Sequence, residues 1–363
     1  MSLVLVLNAG SSSLKYAVFD GALRRLAGGT AAELGGGRGH AAAVAEALAA
    51  LREAGAGAVD CIAHRIVHGG PNLAASAEID PAVRAEIEAA AVLAPLHNPP
   101  ALAALDAAAA ALPGLRHFGV FDTAFHATIA ETARRFALPA EPATEGLRRY
   151  GFHGVSYRGL VEALPRLSGA PLPRRLLAAH LGAGASLCAI RDGASLATTM
   201  GYSPLSGLVM ATRAGDVDAD AALVLAGRIG VSEAQALLTR RSGLAGLAGA
   251  TDMRALLART DAEAAYAIDH FTARLVREAG AMIALMGGLD AVAFTGGIGE
   301  HAAEIRRRFA AAFGWLGLAL DPAANAASAP RLHPEGAAVG AWIVPSEEEK
   351  TIAAEALRLM AAA

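Results

Sequence analysis

The sequence has almost no lysine. Of its 31 basic residues only Lys15 and Lys350 are lysines, and with 34 acidic residues the net charge is -3. Without a basic excess there is no electrostatic footprint for nucleic acid or an anionic membrane surface, so we expect neither as a partner. Long apolar runs are missing too: Ala279–Leu289 is too short to span a bilayer and is closed by Asp290. The N-terminal apolar run lacks a basic leader and passes straight into patterned structure, so we expect a soluble, untargeted, cytoplasmic chain. Cysteine is scarce as well. Cys61 and Cys188 lie far apart in apolar, strand-like contexts and read as buried free thiols rather than a disulfide or metal pair.

What is present is ample apolar material. At 363 residues and 54% hydrophobic, the chain exceeds one core and predicts two domains. Strand-like segments (Leu3–Leu7, Leu14–Phe19, Val59–Arg65, His117–Phe121) alternate with alanine-rich helical ones such as Ala41–Ala54, the order of an α/β protein. Asp80-Pro81 reads as a helix start, and Ser232 with Gln235 as a capping box.

The chain also repeats itself. LVLNAGSSSLKYAVFD (Leu5–Asp20) overlays LAAHLGAGASLCAIRD (Leu177–Asp192) at a constant offset of 172 (180 − 8), so that Asn8 meets His180, Gly10 meets Gly182 and Asp20 meets Asp192. Two duplicated halves, each opening with a β-hairpin, are expected to face their small-residue turns across a cleft that holds a nucleotide phosphate chain. We place the boundary near Arg148–Gly154, giving an N-terminal domain of residues 1–148 completed by the C-terminal helix 349–363, and a C-terminal nucleotide-binding domain of residues 149–348.

Several stretches carry candidate chemistry. A Gly-Ser turn offers close backbone N–H groups and hydroxyls to a phosphate, and Lys15 adds a cation; the plain alternative is an ordinary hairpin turn. In HRIVHGG (His64–Gly70), Arg65 and Val67 share a strand face, which suits a carboxylate carrying a short alkyl chain, although a strand-end arginine is commonly just solvated. APLHNPP (Ala94–Pro100) and FDTAFH (Phe121–His126) put His97 and Asp122 at element ends. YGFHG (Tyr150–Gly154) surrounds His153 with aromatics, and ATRAGD (Ala211–Asp216) sets Arg213 in a loop. AFTGGIGEH (Ala293–His301) reads as a buried strand, a glycine turn and a helix continuing through AAEIRRRFAAAF, an arrangement suited to a nucleotide.

Taken in order, NAGSSSLKY, HRIVHGG, APLHNPP, VFDTAFH, YGFHG, HLGAG, TRAGD, TGGIGE and VPSEEE resemble the acetate kinase family, which includes propionate kinases, over nearly the whole chain. The resemblance implies a duplicated two-domain α/β fold of the sugar kinase, Hsp70 and actin type (ASKHA), an interdomain ATP cleft and a homodimer. It implies ATP/ADP as co-substrate and Mg2+ as cofactor, with Mn2+ as a substitute, and direct in-line phosphorylation of acetate to acetyl phosphate. Carried over residue by residue, Asn8 and Glu348 serve the metal. Ser13, Lys15, His180, Leu181, Gly182, Ala183, Gly184, Asp252, Met253, Arg254, Gly297, Ile298, Gly299, Glu300 and His301 serve the nucleotide. Arg65 binds the acid, Asp122 is the acid/base residue, His153 and Arg213 stabilise the transferring phosphoryl group, and His97 assists. The alkyl pocket maps onto Val67, Leu96, Phe152 and Pro204.

A short carboxylic acid has a pKa of about 4–5 and is already ionised at neutral pH, so we expect Asp122 mainly to orient a partner. The chain departs from the family pattern at Ala183, where HLGNG is usual, at Ala211 in place of a common glycine, and at His301 in place of asparagine. Loss of the amide at Ala183 is expected to weaken ATP binding. Propionate or butyrate is the alternative substrate, since one methylene changes discrimination by only about 1–3 kcal/mol. An ATP-driven binding protein of the actin and Hsp70 type is the remote alternative, and it needs neither Arg65 nor Arg213.

Overall fold

A computed structural model describes residues 2–10, 13–32, 39–53, 55, 57–95 and 97–362. Its strands are β1 (Leu3–Ala9), β2 (Ser13–Asp20), β3 (Arg25–Ala32), β4 (Cys61–Ile66), β5 (Ala77–Glu78), β6 (Arg116–Phe121), β7 (Arg175–Leu181), β8 (Ala185–Arg191), β9 (Ala194–Thr198), β10 (Ala291–Thr295) and β11 (Gly340–Ile343). They form two sheets, one of order β3-β2-β1-β4-β6-β5 and one of order β11-β10-β7-β8-β9.

The chain divides into two compact units. One contains Met1–Ala127, Phe152–Gly159 and Glu347–Ala363; the other contains Thr128–Gly151 and Leu160–Ser346. The sequence reading drew a single division at residue 148 with residues 349–363 returning, whereas the units also exchange the short segments 128–151 and 152–159.

Both sheets have one topology. The first strand of each lies between an antiparallel second strand and a parallel fourth one, and a third strand edges the second. A register irregularity recurs in each between the second and third strands, at Val18/Phe19 and at Ala189/Ile190. The duplication is real, but its constant offset is not. It holds from β1 to β7, while in β2 and β8 the ladder partners of Asn8 and His180 are Lys15 and Ser186, an offset of 171 (186 − 15). The reason is turn length: four residues lie between the closing pair Ala9 and Leu14, but only three between Leu181 and Ala185.

In the first unit β1 reads as an unbroken apolar run because both of its faces are covered. Leu5 and Leu7 pack with Val44, Leu48 and Ile62 on one side. Val4 and Val6 pack with Phe118, Ile352 and Ala353 on the other, the last two from the C-terminal helix Glu348–Ala362. Side chains this deeply buried contribute about 1.5–3 kcal/mol each, so the ends of β1 and β4 project from a rigid base.

Two helix expectations are corrected. Ser232 caps nothing: the helices Ala219–Ile229 and Val231–Arg240 meet at Gly230, whose φ of 86° turns the chain in one residue and leaves Ser232 inside the second helix. The helix expected to run on from TGGIGEH breaks at Ala302, where ψ of 81° leaves the helical region, so that Gly296–His301 and Ala303–Ala312 are separate helices. At the start of the helix Pro81–Ala89, Asp80 accepts a hydrogen bond from Val83 N at 2.8 Å, as expected of a cap. Cys61 and Cys188 are free and buried.

Candidate active site

In the first unit, polar and charged groups gather at the C-terminal ends of β1, β4 and β6. Arg65 meets Asp122 edge to edge, Nε donating to Oδ1 at 3.1 Å and Nη2 to Oδ2 at 2.7 Å. Its Nη1 lies 3.1 Å from Glu348 Oε2 and donates to Asn8 Oδ1 at 3.5 Å. Four of the five N–H donors are thus committed, and the second N–H of Nη2 meets no acceptor among the described residues.

Asp122 is 1% exposed. Burial pushes its carboxyl above the usual range, against the neighbouring guanidinium, which holds it down. For Arg65 burial acts to lower the pKa, and Asp122 and Glu348 together more than offset it, so the guanidinium stays charged.

Around this pair the chain is locked. Asp122 O accepts Gly154 N at 2.9 Å, and a Cβ on Gly154 would stand 2.1 Å from that oxygen, so only glycine can start the helix Gly154–Ser168 here. His153, just before it, holds a left-handed backbone with φ of 61°, a strained state for a non-glycine residue of the kind found at functional sites. Phe152 is buried, its ring edge-on to His68 at 5.6 Å, while its carbonyl oxygen lies 2.9 Å from His126 Nε2. Val67 is half-buried where the chain leaves β4. Leu96 lies outside the described residues.

His97 precedes the helix Asn98–Ala111 without capping it through its side chain. Its neighbour Asn98, which the sequence reading passed over, is fully buried; its Oδ1 accepts His68 N at 3.1 Å and its Nδ2 donates to His68 O at 2.9 Å, clamping the HRIVHGG loop. Burial pushes His68 down to about 4 and keeps it neutral at physiological pH. Thr123, also missed, accepts Gly69 N at 3.1 Å. The sign available in the sequence was the polar residue beside each singled-out one, Asn98 after His97 and Thr123 after Asp122. Lys15 is exposed and pairs with Asn8 across the ladder, and Ser13 O closes the turn by accepting Gly10 N at 2.8 Å.

The second unit brings two glycine turns together. Gly296, with φ of 77°, opens the helix Gly296–His301, and a Cβ there would stand 2.8 Å from Leu181 O at the end of β7. The same construction at Gly182 comes 3.9 Å from Gly297 N and 3.7 Å from His180 Nε2. His180–Gly184 and Gly297–His301 are therefore neighbours. Asp252 and Arg254 form a local, exposed cap of the helix Met253–Leu257, paired at 2.9 Å, while Met253 is buried; no hydrogen bond joins them to the glycine turns among the described residues. Arg213 donates from Nη1 to Pro204 O at 3.0 Å, and burial lowers its pKa. No carboxylate pairs with it among the described residues, in contrast to Arg65.

A family model of the acetokinase family matches residues 22–354. The chain belongs to the acetokinase family. An acetate kinase of Rhodopseudomonas palustris (strain TIE-1) is 45% identical over 307 residues, covering 83% of this chain and 77% of that protein. The crystal structure of Porphyromonas gingivalis acetate kinase superposes with a TM-score of 0.91 at 33% identity, covering 99% of this chain and all of that one. A propionate kinase from Francisella tularensis does so with 0.91 at 32%, covering 98% of this chain and 99% of that one. Family membership carries the duplicated α/β fold of sugar kinases, Hsp70 and actin, in keeping with the twice-used sheet topology, and it carries ATP as co-substrate. No helix among the described residues is long and apolar enough to cross a membrane.

Proposed function

We propose that this chain is an acetate kinase, transferring the γ-phosphoryl group of ATP to acetate, reversibly, to give acetyl phosphate and ADP. The observation that carries the reading is the Arg65 guanidinium, held edge-on by Asp122, with Asn8 and Glu348 converging on its third nitrogen.

Acetate arrives ionised, so one of its oxygens attacks the γ-phosphorus directly. The new O–P bond forms as the bond from phosphorus to the bridging oxygen breaks, and ADP leaves with that electron pair. No proton is removed. Asp122 has both oxygens on Arg65, which supports an orienting role: it aims the guanidinium whose remaining N–H takes a substrate carboxylate oxygen. Arg213, charged and without an acid partner among the described residues, meets the negative charge on the transferring group, with His153 held beside Asp122 through Gly154. Val67 and Phe152 offer apolar surface to the methyl group, and Pro204 and His97 keep the roles the resemblance gives them.

Asn8 and Glu348 supply hard oxygen donors of the kind Mg2+ takes, two protein ligands being enough when water and phosphate oxygens complete the shell. The bound cation would neutralise phosphate charge. Mn2+ has the same ligand preference. The glycine turns at His180–Gly184 and Gly297–His301, with Ser13 and Lys15 and the Asp252–Arg254 cap, are assigned to the nucleotide.

A homodimer is supported by the helix Ala219–Ile229, which buries no residue and presents Leu223 at 69% exposure, with Val231 at 75% just beyond it. Light scattering should give twice the chain mass, and Leu223→Asp should halve it. Two free cysteines accord with a cytoplasmic enzyme.

The test combines protein, MgATP, a short acid and hydroxylamine, which traps acyl phosphate as hydroxamate. Acetate should give product; no product from any short acid overturns the reading. The kcat/KM ratio of propionate to acetate decides the second reading, which the structural match to a propionate kinase favours.

A further inference from the structure

The backbone uses the Glu300 carboxylate twice. Its Oε1 accepts Gly296 N at 2.9 Å and Ser346 N at 3.0 Å. Gly296 is the left-handed residue that rests against Leu181 O, the last residue of β7 before the turn Gly182–Gly184. Ser346 is the last residue of its unit, and Glu347 and Glu348 follow it. One oxygen atom thus fastens the TGGIGE turn to the chain entering VPSEEE and, through Gly296, fixes how that turn seats on HLGAG. The short helix is held from its other end as well: Arg306, fully buried, donates from Nη1 to Gly299 O at 2.8 Å.

Helix-start N–H groups have no partner within the helix. A glutamate four residues on that takes only the first of them would be a local cap. Glu300 does more, because its second donor comes from a segment brought in by β11. The bond it makes is one that an uncharged carbonyl oxygen can also accept, since geometry and not charge is what two N–H groups on one oxygen require.

We propose that Glu300, although it lies in the stretch Gly297–His301 assigned above to the nucleotide, is itself a positioning residue: it sets the register of the two glycine turns against the segment at Ser346, and it touches neither nucleotide nor metal. This rests on reading those turns as the nucleotide site.

The experiment compares Glu300→Gln, Glu300→Ala and Glu300→Asp in the full chain. Calorimetric titration with ATP and Mg2+, without acid, is run beside hydroxamate kinetics. Glutamine keeps an oxygen at the same reach and should bind nucleotide within about twofold of wild type, while alanine, which loses both hydrogen bonds, should weaken binding about tenfold or more. The KM for acetate should not change. Aspartate keeps the charge but is one methylene too short to meet both donors, so it should behave like alanine; it carries the test should the alanine variant fail to fold. Glutamine as damaging as alanine would mean that the charge itself contacts nucleotide or metal, and would overturn the proposal. So would an alanine variant that binds like wild type, or a wild type that binds no nucleotide. A wild type that binds ATP but makes no acyl phosphate overturns the function and leaves the positioning role standing.

Discussion

The backbone N–H of Ala211 donates to the carbonyl of Ala183 at 3.1 Å. These are two of the positions at which the chain departs from its family's pattern, one in the HLGAG turn and one in the loop leading to Arg213, and they are joined by a hydrogen bond. Positions 183 and 211 thus belong to one piece of structure.

Restoring the amide should therefore depend on its neighbour. Ala183→Asn is expected to lower the KM for ATP several-fold, and the gain should differ by about threefold when Ala211→Gly is also present, because contacting residues couple by 0.5 kcal/mol or more. Steady-state kinetics on the two single variants and the double one measure the coupling; strict additivity would show the two sites to be independent.

Asp122→Asn removes the charge that holds Arg65 and leaves a guanidinium with a weaker partner. We expect kcat/KM for acetate to fall at least about 100-fold, which is about 2.7 kcal/mol of transition-state binding. The KM for ATP should stay near the wild-type value. Near-normal turnover with intact folding would count against both an orienting and a proton-transfer role.

Gly154→Ala forces a Cβ to 2.1 Å from Asp122 O, a backbone atom that cannot swing aside. The expected outcome is a loss of about 3 kcal/mol or more in urea unfolding, beyond the usual range for a single substitution, together with loss of activity. By contrast Gly227, whose Cβ would meet nothing within 4 Å, should tolerate alanine.

Acid should weaken the fold before it reaches the ordinary carboxylates. His64 and His117 stack with their nitrogens 2.9 Å apart, and burial, with the neighbouring ring, pushes His64 down to about 3. A histidine lowered in the folded state is neutral there while the unfolded chain takes up the proton from about pH 6.5 downward. Stability is therefore full above pH 6.5 and falls progressively as pH drops toward 3. Urea midpoints across that window should show the slope, and His64→Gln should flatten it.

Much of the site was readable because its chemistry is local in the chain. Arg65, Asp122 and Gly154 stand at strand ends or helix starts, where short motifs announce them, and the apolar run Val4–Leu7 announces a strand covered on both faces. Asn98 and Thr123 were not readable, because their importance lies in partners 30 and 54 residues away. Ser232 misled for a related reason: it is a good capping residue by type, but the chain had already turned at Gly230. Likewise Glu300 looked like part of a binding motif, while its carboxylate meets a backbone N–H 46 residues further on.

The missing residue in the second hairpin turn has an outcome of its own. The shorter turn absorbs the difference, so every ladder position keeps its face and only the residue that occupies it changes. In the first copy that register sets Lys15 across from Asn8; in the second it sets Ser186 across from His180. A duplicated gene begins with two equivalent halves, and a turn one residue shorter leaves the ladder intact, so the cation at Lys15 and the hydroxyl at Ser186 are a difference in the residues themselves at one shared position.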